Sequence, residues 1–180
     1  MEPLAPYFFG DVMVIPSAYF SAMKAATSAD IKKELKSRDH SELIELCLRL
    51  ARFKKENKEL LSFLLFEEND LAAYINSVKE EMDEGFGQLN LNSIYFAKKS
   101  LRKLLRIANK YIRYTGNKEA EAEILLHYAT SFKGLKLSWQ KSAAMVNIYN
   151  GVMKKISAAI DTMHEDLQHD YRKAYERLVI

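Results

Sequence analysis

At 180 residues, with a formal net charge of +3, 48% hydrophobic and 28% charged side chains, the chain has an ordinary globular composition, which argues against both an intrinsically disordered polyelectrolyte and an integral membrane protein. The single cysteine, Cys47, rules out an intramolecular disulfide framework and points to a reducing, cytoplasmic setting. Six Gly and three Pro occur in all, and Pro3, Pro6 and Pro16 sit near the start, so the rest of the chain lacks the strongest helix breaker.

Residues 1–23 read as a poorly structured N-terminal extension ahead of a single all-α domain over 24–180. The apolar runs Tyr7-Phe8-Phe9 and Val12-Met13-Val14-Ile15 are interrupted by acid and proline, follow no Lys or Arg, and fall far short of the roughly 20 residues of a membrane helix. No membrane association is expected.

From Asp30 the apolar residues recur at helical spacing, and no stretch shows the alternation of a strand. A short helix is predicted over 30–36. Asp39 with Glu42 forms a capping box for the next helix, whose stripe is Leu43, Leu46, Cys47, Leu50 and Phe53. Cys47 on that stripe is expected to be buried as a small hydrophobe. An interruption at 54–57 precedes Leu60, Leu61, Leu64 and Leu65. Asn69 or Asp70 caps a helix that turns Leu71, Tyr74, Ile75, Val78 and Met82 inward and is expected to dissolve at Gly85-Phe86-Gly87.

The helix predicted over 93–115 carries Ile94, Ala97, Leu101, Leu104, Leu105, Ala108 and Tyr111 or Ile112, with Gly116 placed for a left-handed C-terminal cap. Asn117 caps its successor, whose first turns hold Glu119, Glu121 and Glu123 and whose apolar face is Ile124, Leu125, Tyr128 and Phe132. From Ser138 the stripe Met145, Tyr149, Val152, Ile156, Ile160, Met163, Leu167, Tyr171, Ala174, Leu178 keeps steps of three and four. It predicts one long C-terminal helix, or two nearly collinear ones, bending at Gly151 and reaching beyond its neighbours. The fold class is therefore all-α: antiparallel helical hairpins in an irregular array or bundle, closed by a long C-terminal helix.

The segments Asp30-Ile31-Lys32-Lys33-Glu34-Leu35-Lys36, Glu42-Leu43-Ile44-Glu45-Leu46 and Lys54-Lys55-Glu56-Asn57-Lys58-Glu59-Leu60 with Phe63-Leu64 resemble an uncharacterised bacterial family of helical proteins classed as a domain of unknown function. The resemblance covers mainly residues 30–65. It implies a helical fold and assigns no activity or residue role.

Charge provides the sharpest local feature. Lys98, Lys99, Arg102, Lys103, Arg106, Lys110 and Arg113 share one helix, and no acidic residue occurs from Gly85 through Lys118. Such a face can bind the phosphates of a nucleic acid or an acidic protein, with Tyr95 and Tyr114 as stacking groups. A solvated face neutralised by Glu119, Glu121 and Glu123, or by Glu80, Glu81, Asp83 and Glu84, explains the same pattern. A second cluster, Asp161, Glu165 and His169, would form a metal-ligand row at i, i+4, i+8 on a continuous helix, whereas His164 and His169 are badly spaced for one ion. Trp139 reads as a core anchor and His127 has no partner identifiable by spacing. No phosphate loop, dinucleotide fingerprint, GxSxG elbow or CxxC pair occurs. The leading expectation is a non-catalytic protein-interaction module without cofactor, self-associating through the C-terminal helix at Met163, Leu167, Tyr171 and Leu178. The alternatives are nucleic-acid binding through the basic face and a metal-dependent enzyme built on the second cluster.

Overall fold

The computed structural model describes residues 25–180, together with the backbone of 7–9 and 12–14. The expected extension over 1–23 otherwise lies outside the described residues. Within it, β1 (Tyr7–Phe9) pairs antiparallel with β2 (Val12–Val14), Phe8 opposite Met13. The remainder is helical: α1 (Ser28–Ser37), α2 (His40–Phe53), α3 (Lys55–Ser62), α4 (Leu71–Gly87), α5 (Ile94–Thr115), α6 (Lys118–Lys133), α7 (Ala143–Ile160) and α8 (Glu165–Glu176). The fold is all-α. Two compact units divide the chain, residues 1–49 and 50–180.

In the first unit the turn from α1 into α2 is fixed locally. Glu42 N–H donates to Asp39 Oδ1 at 2.8 Å and Asp39 N–H to Glu42 Oε2 at 3.2 Å, the expected capping box. Arg38 bridges Glu34 and Glu42 at 3.1 and 3.2 Å. Neither α1 nor α2 has a buried residue. Cys47 is exposed, contrary to the expected burial. Spacing shows which side of a helix is apolar, but burial also requires something packed on that side.

In the second unit, Lys54 is extended and separates α2 from α3, as the interruption predicted. The expected stripe then changes phase, because Phe63–Glu67 form a wide π turn that turns Phe63 inward and leaves Leu64, Leu65 and Phe66 exposed. Asp70 Oδ1 caps α4 by accepting from Ala73 N–H at 3.0 Å, and Tyr74, Ile75, Val78 and Met82 are buried as predicted. α4 does not dissolve at Gly85; it runs on through Gly87. A Cβ at Gly85 would collide with Leu104 Cδ2, so the missing side chain lets α5 approach closely there. Gly116 takes the expected left-handed cap, at φ 57°, and Asn117 Oδ1 accepts from the N–H groups of Glu119 and Ala120.

The core lies where α6 packs along α7 and against α4, with α5 and α8 completing the enclosure. Trp139, on a short 3-10 turn, sits 5.0 Å from both the Phe132 and Tyr149 rings, with Phe132 and Tyr149 5.4 Å apart. Tyr128 donates to Leu101 O at 2.9 Å and Tyr149 to Leu178 O at 2.7 Å, whereas the buried Tyr74 hydroxyl has no partner among the described residues.

The C-terminal stretch departs from the expected long helix. It passes Gly151 without interruption and breaks at 161–164. There the N–H and the hydroxyl of Thr162 both donate to Ala159 O, at 3.1 and 2.7 Å, and α8 turns back to pack on α7 and α6. Leu178 is thereby buried and Met163 and Tyr171 half-buried, so of the four residues expected to mediate self-association Leu167 alone is exposed. No helix among the described residues is long and apolar enough to cross a membrane.

Candidate anion-binding face

α5 has a sharply divided surface. Ala97, Leu101, Leu104 and Ala108 are buried against the core, which leaves the opposite side to its cations. At 3.6 residues per turn Tyr95, Arg102, Arg106 and Arg113 fall within about 40° of one another around the axis. Lys99, Arg102, Lys103, Arg106 and Arg113 are exposed and Lys98 half-buried, its ammonium 5.8 Å above the Tyr95 ring.

A shallow open cleft of about 590 Å³ follows this face, lined by Tyr95, Lys98, Lys99, Arg102 and Arg106, with Leu105 and Asn109 completing its wall. A second recess of about 620 Å³ continues from Asn109 to Arg113, Asn117 and Lys118. Asn109 joins the two. Its amide donates to Leu105 O, which leaves Oδ1 to accept from Lys155 Nζ of α7 at 2.8 Å. Lys155 therefore extends the basic surface. Sequence reading missed it, because a residue far along the chain is brought here only by packing. Asn109 could have been found, since it keeps the helical phase of Arg102 and Arg106.

Glu119, Glu123, Glu81 and Asp83, four of the acids expected to neutralise this face, are engaged elsewhere, whereas Glu121 itself lines the second recess. Glu123 pairs with Lys79 at 2.6 Å, Glu121 with Lys118 at 2.8 Å, and Glu119 and Glu123 both accept from Tyr171. Glu81 accepts from Tyr111, and Asp83 lies 2.7 Å from His127, the partner that spacing did not reveal. Among the described residues, Lys98, Lys99, Arg102, Lys103, Arg106 and Arg113 have no ion pair.

Lys110 is the exception within the predicted set. Its ammonium turns to the other side of α5, 2.8 Å from Glu59 Oε2 of α3 and 4.5 Å above the Tyr111 ring. Tyr114, expected as a stacking group, is likewise buried there and donates to Glu59 at 2.9 Å. The bond from Lys110 holds the Glu59 carboxyl below its usual range against the opposing effect of partial burial, and the Tyr114 hydroxyl adds to it. Burial and the surrounding carboxylates push the Tyr74, Tyr111 and Tyr114 hydroxyls up. This knot fixes α3 to α5 and takes Lys110 and Tyr114 out of the candidate face.

The candidate i, i+4, i+8 row of Asp161, Glu165 and His169 does not form. Asp161 ends α7 and accepts from Arg172 at 2.8 Å, whereas Glu165 and His169 belong to α8 beyond the break. Among the described residues no group of three or more His, Cys, Asp or Glu is placed to hold a metal ion. No family model, curated protein or solved structure matches the chain.

Proposed function

We propose that the chain is a non-catalytic protein-interaction module whose docking surface is carried by α1 and the first part of α2, and that the partner is a second copy of the same chain. One observation carries this reading: both helices are formed, yet neither buries a residue, and Ile31, Leu35, Ile44, Leu46 and Leu48 stand between 39% and 49% exposed. Helices of this length are marginal in water, and an amphipathic face normally contributes their stability by packing on something. Ile31 and Leu35 lie one turn apart on α1, and Leu46 shares a side of α2 with Leu43 and Cys47, so exposed apolar side chains run along both helices and mark an interaction surface. A shallow groove lined by Ile31, Leu35 and Leu43 runs along it.

Charge favours a second copy over a strongly acidic or basic partner. Over residues 28–49, Lys32, Lys33, Lys36, Arg38 and Arg49 balance Asp30, Glu34, Asp39, Glu42 and Glu45. Two such faces attract through apolar contact without net repulsion, as an isologous two-fold interface requires. Sedimentation velocity on the full chain tests this. The wild type is expected to be dimeric at micromolar concentration, and Leu35→Glu with Leu46→Glu to give monomers with unchanged thermal unfolding of the 50–180 unit. A wild-type monomer at high micromolar concentration, or a dimer indifferent to both substitutions, would overturn the proposal.

A further inference from the structure

We infer that the α5 face, together with Lys155, is a binding surface for single-stranded nucleic acid, independent of the apolar surface of α1 and α2. The cations run from Lys98 to Arg113, about 22 Å along the helix at 1.5 Å per residue. Lys98, Lys99, Arg102 and Arg106 border one recess and Arg113 and Lys155 a second, the two sharing Asn109. Exposed cations without intramolecular acidic partners are free to displace the counterions of a phosphate chain. One carboxylate, Glu121, lines the second recess, and its charge is paired with Lys118 at 2.8 Å.

The choice of single strand over duplex, and over an acidic protein, rests on the aromatic head of the cleft. Tyr95 and Phe96 are 63% and 53% exposed at the start of α5, their rings 5.4 Å apart and steeply inclined. Tyr95 lies directly on the cation line and Leu105 forms an apolar wall one turn beyond Leu101. A single strand offers base faces to these surfaces and phosphates to the arginines at once. A duplex keeps its base faces stacked inside, and the carboxylates of an acidic peptide are not aromatic faces of the kind that stack on Tyr95.

Fluorescence anisotropy of the full chain against a labelled oligothymidylate tests the inference, with a duplex of equal length and polyglutamate as competitors. Engagement of about four phosphates predicts an affinity loss of roughly 50-fold between 50 and 200 mM salt. Arg102→Glu with Arg106→Glu is expected to weaken binding more than about tenfold and to reduce the salt dependence. Tyr95→Ala is expected to weaken it by roughly 5- to 100-fold with the salt dependence retained, which separates stacking from charge. Arg102→Gln with Arg106→Gln, checked by circular dichroism, repeats the test if charge reversal impairs folding. Absence of binding at 50 mM salt, preference for the duplex or polyglutamate, or unchanged affinity of Tyr95→Ala would each overturn the inference.

Discussion

Raising the pH should unfold this protein through its tyrosines. Burial pushes the hydroxyls of Tyr74, Tyr114, Tyr128 and Tyr149 above their ordinary value, and these four side chains are at most 9% exposed. Tyr128 and Tyr149 donate to main-chain carbonyls and Tyr114 to a carboxylate, acceptors that a phenolate would repel. A raised folded-state pKa means that the stabilisation is complete below the unfolded value, about 10, and is lost as pH rises toward the folded value. Above about pH 10 each such group therefore removes about 1.4 kcal/mol per pH unit. The three groups with large shifts, Tyr74, Tyr114 and Tyr128, together remove about 4 kcal/mol by about pH 11, a large part of the whole stability of a typical domain. Guanidinium unfolding monitored from about pH 8 to 11 should show a steep fall in the midpoint, with cooperative ionisation of these tyrosines on unfolding. A midpoint that holds over this range, or native-state titration of every tyrosine near 10, would refute the reasoning.

Glu59→Gln should destabilise by roughly 1–3 kcal/mol at neutral pH, because Lys110 and Tyr114 both lose a carboxylate acceptor. The lowered pKa of Glu59 means that this contribution is present above the unfolded carboxylate value and fades as pH falls through the folded one, so the gap between variant and wild type should close on acidification, as urea midpoints at several pH values will show. Phe132→Ala, which removes a ring held between Tyr128, Trp139 and Tyr149, should cost about 3–5 kcal/mol by chemical denaturation. Asn117→Ala should cost about 1 kcal/mol and Asn117→Gly a few tenths, a ranking that differential calorimetry can check.

What the sequence made legible was local. The capping box of Asp39 and Glu42, the left-handed Gly116 and the Asn117 cap depend on residues within one turn, and each lies where spacing placed it. Inward faces were equally readable where a helix packs on others, as for Ile124, Leu125, Tyr128 and Phe132. The break at 161–164 escaped because neither Gly nor Pro marks it; the local signal is a threonine whose hydroxyl adds a bond to Ala159 O in the last turn of α7. Gly85 misled in the opposite direction, since in an interior turn it serves the approach of a neighbouring helix rather than a chain reversal.

The candidate face was legible as a stripe and not as a surface. Helical phase grouped Arg102, Arg106 and Arg113, but membership depended on long-range contacts: Glu59 removed Lys110 and Tyr114, and packing of α7 added Lys155. The exposed apolar stripe of α2, including Phe53 at 77% exposure, gave the same sequence pattern as a core helix.

The bond from Tyr149 to the carbonyl of Leu178 bears on how the chain matures during synthesis. Tyr149 is among the most deeply buried side chains, yet its hydroxyl acceptor is made 29 residues later. A ribosome extending the chain N-terminus first leaves that hydroxyl without its native acceptor until the residues around Leu178 have left the exit tunnel. The centre of the 50–180 unit is thus completed from its far end, so that a translational pause before Leu178 holds the nascent protein in a form whose aromatic centre is still open.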